Sequence, residues 1–150
     1  MSEHVASITW KRTTPEFTAE TYNRSHEWKF DSGVVVPASA SPLYRGDADR
    51  VDPEEALVAA LSSCHMLTFL FEAARKKFVV DSYEDAAVGV MTKNERGKLW
   101  VSKVTLRPKV SFGRGKQPSA EELTALHERA HGSCFIAQSV KTEVIVEPQL

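Results

Sequence analysis

Residues 52–77 constrain this chain's fold more than any other segment. Asp52-Pro53-Glu54-Glu55 is a helix start. Asp52 can cap, Pro53 suits the first helical position, and Glu55 sits three residues after the cap, as a capping box requires. Both glutamates favour the positive end of the helix dipole. Leu57, Ala60, Leu61, Cys64, Leu67, Thr68 and Phe71 then recur at helical spacing. The other side is also apolar as far as Glu72, so the helix must be covered on most of its surface. Arg75, Lys76 and Lys77 suit its C-terminal end. The apolar run, residues 56–71, is too short and too interrupted to span a bilayer.

The remaining segments supply the partners. Residues 5–11 and 16–22 read as strands joined by a turn at Thr13-Thr14-Pro15, and 26–30 as a further extended piece ending at Asp31-Ser32-Gly33. Residues 34–52, with Pro37, Pro42 and Gly46, read as a long ordered loop, a class that is often functional. Residues 86–93 and 98–112 read as strands around the turn Asn94-Glu95-Arg96-Gly97. Ser119 and Glu122 form a second capping box for a helix that Gly132 ends, and Ser133 can cap a third helix with Cys134 in its first turn. Residues 141–147 alternate as a closing strand. The expectation is a single α+β domain over 1–150, with antiparallel strands packed around a central apolar helix.

Composition excludes several function classes. A net charge of −1 over 150 residues, with 26% charged and 42% hydrophobic, argues against a nucleic-acid or anionic-membrane partner. The N-terminal Met-Ser-Glu-His lacks a basic stretch followed by an apolar block, so a cytoplasmic location is expected. No Gly-x-Ser-x-Gly elbow, P-loop or dinucleotide-binding glycine motif occurs. The Trp and Phe residues are dispersed, and core packing is their default role.

Two cysteines stand out because a structural disulfide is uncommon in a reducing compartment. Buried free cysteine often serves as a small hydrophobe, so core packing and redox chemistry both stay open. Cys134 at a helix N-terminus would be favoured as thiolate, whereas Cys64 in a helix interior needs a nearby cation. Arg45 and Arg50, in the loop before the helix, are candidates, and Arg24 is a third. Glu54 lies ten residues before Cys64, ~15 Å along a helix axis at ~1.5 Å per residue. It cannot touch that thiol within one straight helix, but it can orient an arginine through a bidentate pair. A site completed across a subunit boundary is the other possibility, and a solvated, dipole-favouring Glu54 is the third.

The histidines raise a metal question. His127-Glu128-Arg129-Ala130-His131 spells H-E-x-x-H, a zinc-binding pattern. Gly132 follows at once, and no third ligand is evident except Cys134. His65 and Cys64, adjacent on a helix, point about 100° apart and do not readily share one ion. Metalloprotease activity is disfavoured.

The stretch Asp52-Pro53-Glu54-Glu55-Ala56-Leu57-Val58-Ala59-Ala60-Leu61-Ser62-Ser63-Cys64-His65 resembles the N-P-E-E-L…A…C segment of the OsmC/Ohr family. Ala130-His131-Gly132-Ser133-Cys134-Phe135-Ile136 is similar to that family's second cysteine segment. The resemblance implies an OsmC-like fold in an intertwined homodimer with two sites at the subunit interface. It implies a thiol peroxidase without metal, flavin or haem, in which Cys64 attacks an organic hydroperoxide and Cys134 resolves the sulfenic acid as a disulfide. Glu54 would hold an arginine against the thiolate. That arginine is Arg45 by analogy with osmotically inducible protein C, or Arg24 by analogy with the hydroperoxide resistance branch. The reductant would be a dithiol, such as a dihydrolipoyl protein. Phe135, where many members have proline, and His65-Met66 depart from the pattern. The alternative is a non-catalytic dimer that binds a small hydrophobic ligand, its thiols serving as packing.

Overall fold

A computed structural model describes all 150 residues and places the long helix, α1, at Pro53–Arg75. Its start is the expected reciprocal capping box: the Glu55 N–H donates to Asp52 Oδ1 at 2.8 Å, and the Asp52 N–H to Glu55 Oε2 at 3.2 Å. Its end is a Schellman closure. The Phe78 N–H reaches the Ala73 carbonyl and the Lys77 N–H the Ala74 carbonyl, with Lys77 left-handed at φ 63°. The buried line runs through Leu61, His65, Phe69, Glu72 and Ala73, while Leu67 and Phe71 are exposed. The spacing of Leu57, Leu61, Cys64, Leu67 and Phe71 therefore selected the wrong edge of the helix. Being apolar on most sides, α1 offers periodicity little contrast to read. At 23 residues it also exceeds the apolar run read from sequence, and by length and composition alone it could cross a membrane. Here its buried face carries His65 and Glu72 and packs on other elements of the chain.

The chain divides into two compact units, Met1–Ala56 and Leu57–Leu150. In the first, β1 (Ala6–Thr9), β2 (His26–Phe30) and β3 (Val35–Ala38) form an antiparallel meander in the order β1-β2-β3. Gly33, at φ 85°, makes the tight β2–β3 turn. Two expectations fail in this unit. Residues 16–22 form turns, not a strand, because Thr18 and Thr21 bond each other and the local backbone. Residues 35–38, inside the expected loop, form a strand: Pro37 is tolerated because β3 closes one edge of the sheet. A single 3-10 turn, Pro42–Tyr44, follows. Gly46 then passes so close to the Ala40 carbonyl that a β-carbon there would overlap it.

In the second unit β4 (Val80–Asp85) pairs with β7 (Pro108–Phe112), and β5 (Val88–Lys93), β6 (Leu99–Leu106) and β8 (Glu143–Val146) form a second sheet in the order β5-β6-β8. The β5–β6 hairpin turns around Asn94, whose Oδ1 accepts from the Arg96 and Lys98 N–H groups. β8 runs parallel to β6. The expected single strand 98–112 is broken at Arg107, whose N–H donates to Asp85 Oδ1 at 2.6 Å, so β6 and β7 belong to different sheets. Helix α2 is Ala120–Ser133, opened by the expected Ser119–Glu122 capping box. It runs through Gly132, and Cys134 is not inside the next helix but caps it; that helix, α3, is Phe135–Gln138.

Helices α1 and α2 meet in a core of Phe69, Ala73, Phe78, Leu126 and Ala130, and Leu61 packs separately with Val104 and Leu106 of β6. A buried polar contact crosses the first core: His65 Nε2 and His127 Nδ1 are 3.1 Å apart, both rings are buried, and His127 stacks on Phe69 at 4.4 Å. Burial, and for His65 the neighbouring His131, lowers its pKa from 6.5 to about 4 against an opposing pull from Asp85. His127 is lowered to about 4 by burial and then by His65. In the unfolded chain both titrate near 6.5, so between about pH 4 and 6.5 the unfolded state binds more protons. This stability is fully present above pH 6.5 and is lost as pH falls through the window. Urea unfolding should show up to about 2 kcal/mol less stability per histidine at pH 5 than at pH 7, at ~1.4 kcal/mol per unit. A His65→Gln/His127→Asn double variant should lack that acid-dependent loss. A wild-type loss no larger than the variant's would contradict the assignment.

Candidate functional site

The second unit brings the two thiols together. Cys64, half-buried on α1, neighbours Cys134 closely enough to raise that thiol's pKa; Cys134 is 1% exposed, and both are free thiols. Cys134 is fixed where α2 hands over to α3: its own N–H reaches the His131 carbonyl, and its Sγ accepts from the Ala137 N–H at 3.4 Å. The expectation of a thiolate at this helix start is overturned. Burial raises the Cys134 pKa first and the neighbouring Cys64 side chain adds to it, while the Ala137 and Ile136 N–H groups pull the other way and lose. A helix of four residues supplies only a small dipole to oppose desolvation. Cys134 is thus held protonated, and Cys64 is the more accessible sulfur.

The first unit contains a cavity of about 470 Å³ walled by Ile8, Trp10, Phe17, Tyr22 and Tyr44, with Arg24 and Glu54 also on its lining. The aromatic wall is built locally. Trp10 Nε1 donates to the Asn23 carbonyl at 2.7 Å, and Asn23 in turn bonds the backbone of Lys11 and Thr13, folding 10–23 back on itself. Phe17 then lies 5.9 Å from Trp10 and 5.8 Å from Tyr22, ring centre to ring centre. Sequence reasoning treated these aromatics as core filler. Their separation along an irregular segment carries no periodic signal, and only the Asn23 fold-back makes them neighbours.

Arg24 is rigidly held. Its guanidinium donates to the Ala19 carbonyl at 2.7 Å and to the Tyr22 carbonyl, and it lies 3.9 Å over the Tyr22 ring. The turn found in place of the expected strand 16–22 presents these carbonyls. Glu54 is half-buried on the first turn of α1 and shares the cavity with Arg24. Arg45 is exposed, takes the left-handed cap of the 3-10 turn at φ 63°, and is not among the cavity-lining residues. Arg50 donates to the His26 carbonyl at 3.3 Å. His26, also on the cavity wall, has both nitrogens engaged: Nδ1 faces the Arg24 carbonyl at 2.7 Å and Nε2 accepts from Trp28 at 2.9 Å. These partners engage both ring nitrogens.

The H-E-x-x-H residues lie on α2, but His127 faces His65 through Nδ1. No group of three or more His, Cys, Asp or Glu side chains is placed to hold a metal ion.

A family model described as OsmC-like protein matches residues 46–149. An OsmC-like protein of unknown function from Vibrio cholerae O1 biovar eltor is 50% identical, with a TM-score of 0.96 over 99% of this chain and 100% of that one. An organic hydroperoxide resistance protein from Elizabethkingia anophelis superposes with a TM-score of 0.73 at 18% identity, covering 99% and 94%. The organic hydroperoxide resistance protein OhrB of Bacillus subtilis does so with 0.71 at 16% identity, covering 99% and 98%. At those identities the last two establish the shared α+β fold. No curated protein matches the sequence.

The unequal burial of the two sulfurs has a direct consequence in solution. A limiting alkylating reagent at pH 8 should label Cys64 at least tenfold faster than Cys134, as read by peptide mass spectrometry. Equal labelling would contradict the geometry.

Proposed function

The chain belongs to the OsmC-like family, and we propose that it is a cysteine-based peroxidase that reduces organic hydroperoxides to alcohols. The observation that carries this reading is the neighbouring pair of unequally buried free thiols, Cys64 and Cys134. In the proposed cycle the Cys64 thiolate attacks the terminal peroxide oxygen and the O–O bond breaks. The alkoxide leaves, takes up a proton and becomes the alcohol, while Cys64 becomes a sulfenic acid. The Cys134 thiol then condenses with it, forming the disulfide and releasing water. A dithiol reductant, such as a dihydrolipoyl protein, returns both sulfurs to thiols by exchange. Such recycling suits a reducing, cytoplasmic setting.

Glu54 and an arginine are proposed to hold the attacking sulfur as thiolate. Of the two candidates, Arg24 is favoured over Arg45, because Arg24 shares the Glu54 cavity and is fixed by two carbonyls and a ring face. The aromatic wall supports an organic rather than a hydrogen peroxide substrate, since it offers apolar surface to a hydrocarbon tail. The hydroperoxide names of the Bacillus and Elizabethkingia relatives point the same way. A homodimer is supported by α1: only five of its 23 residues are buried within one chain, and Leu67 and Phe71 stand 61% and 64% exposed.

Cys64→Ser should abolish consumption of a bulky organic hydroperoxide in a dihydrolipoamide-coupled assay, while Cys134→Ser should complete one turnover and then stall or over-oxidise. Sustained turnover by Cys64→Ser would sink the proposal in favour of a ligand-binding protein with packing thiols. Arg24→Ala should lower kcat/KM by about 10²-fold or more, as loss of a charge-stabilising group does, and Arg45→Ala by only a few-fold. The reverse order would return the role to Arg45.

A further inference from the structure

The two cysteines sit on different elements, Cys64 within α1 and Cys134 at the end of α2, so their approach depends on how these helices are set against each other. The core between them is Phe69, Ala73, Leu126 and Ala130, apolar contacts that tolerate sliding. Two directional contacts join the helices: the Glu72–Arg129 ion pair at 3.8 Å, whose arginine is half-exposed, and, inside the core, His65 Nε2 against His127 Nδ1 at 3.1 Å, with the rings nearly parallel at 8° and both side chains under 5% exposed. His65 is the residue next to Cys64. His127 lies two turns before Cys134 on the helix that Cys134 terminates. We infer that the buried His65–His127 hydrogen bond is a positioning device that fixes the register of α1 against α2 and so holds Cys64 and Cys134 within disulfide reach.

The chemistry suits that role. A hydrogen bond between two neutral imidazoles needs one proton between the facing nitrogens, and a misregistered pair would leave both polar edges buried and unpaired. The pair is already close to that limit, because His127 Nε2 and His131 Nδ1 are buried without partners. A slip of the helices would therefore cost more here than at any apolar contact. The charged and titratable groups around the pair are few. His131 on α2 and Asp85 on β4 act on His65, Tyr83 of β4 packs on Phe69, and Glu72 farther along α1 is held by Arg75 and Arg129. Burial keeps both rings neutral at physiological pH, which preserves the single shared proton.

This inference rests on the two-thiol reading above but not on peroxide chemistry, and its test uses neither peroxide nor turnover. The full-length protein is equilibrated at pH 7 with glutathione redox buffers. The Cys64–Cys134 disulfide fraction is read by alkylation and mass spectrometry, alongside thermal unfolding. Two variants carry the test. His65→Leu/His127→Leu replaces both partners with apolar groups of similar size, a change that leaves folding nearly intact. His65→Gln/His127→Asn puts amide groups near Nε2 and Nδ1 and keeps a hydrogen bond. The leucine pair should lower the disulfide equilibrium constant at least tenfold, a shift of ~30 mV toward easier reduction, and the amide pair should restore most of it. Disulfide constants within twofold of wild type in the leucine variant would overturn the positioning role, whatever its melting temperature. A wild type that forms no Cys64–Cys134 disulfide in any oxidising buffer would overturn this inference and the two-thiol reading together. The tenfold shift in a protein that consumes no organic hydroperoxide would support the positioning role and sink only the peroxidase reading.

Discussion

A 23-residue helix that is apolar on most of its sides demands cover, and the burial of one of its faces organises the second unit. Leu61 and Phe69 are fully buried, each contributing ~2–3 kcal/mol through apolar surface removed from water. Leu61 draws β6 to one part of the helix, and Phe69 draws α2 and the β4–β7 pair to another. The polar residues on the same face, His65 and Glu72, then have to find partners. They find them in His127, Arg75 and Arg129. Hydrophobic burial supplies the driving force, and this polar line sets the register.

The competition at Cys134 shows which effect wins in the site. A helix N-terminus lowers a thiol pKa, as do the N–H groups of Ala137 and Ile136, yet desolvation and the neighbouring Cys64 together raise it further than these lower it. The outcome follows from scale: α3 is one turn long, and the sulfur is almost wholly removed from water. Two chemically identical residues thereby receive different surroundings. Cys64 is the accessible one, and Cys134 is enclosed and kept protonated beside it.

Features encoded within a few residues were legible in the sequence. Both capping boxes, Asp52 with Glu55 and Ser119 with Glu122, form as read, because each needs only its own four-residue spacing. The Asn94 hairpin likewise follows from local turn chemistry. Features that depend on distant partners were not legible. β4 alternates weakly and carries Asp81, Glu84 and Asp85, so its pairing with β7 leaves little trace. β3 is disguised by Pro37, and the break at Arg107 is set by Asp85, 22 residues away. In the candidate site, spacing and resemblance single out Cys64, Cys134 and Glu54. The cavity wall of Trp10, Phe17 and Tyr22 was not legible, since a side chain of Asn23 assembles it. The His65–His127 pair was hidden as well. The sequence pairs His127 with His131, while the fold turns it toward a residue 62 positions away.

The central claim is that the two thiols act as one redox unit with Cys64 struck first. The most direct measurement is to add one equivalent of an organic hydroperoxide to the reduced protein and follow thiol count and peptide mass over time. The account predicts loss of two thiols per peroxide, a transient oxygen adduct on Cys64, and a final cross-link between the Cys64 and Cys134 peptides. Unchanged thiols, or a first adduct on Cys134, would contradict it.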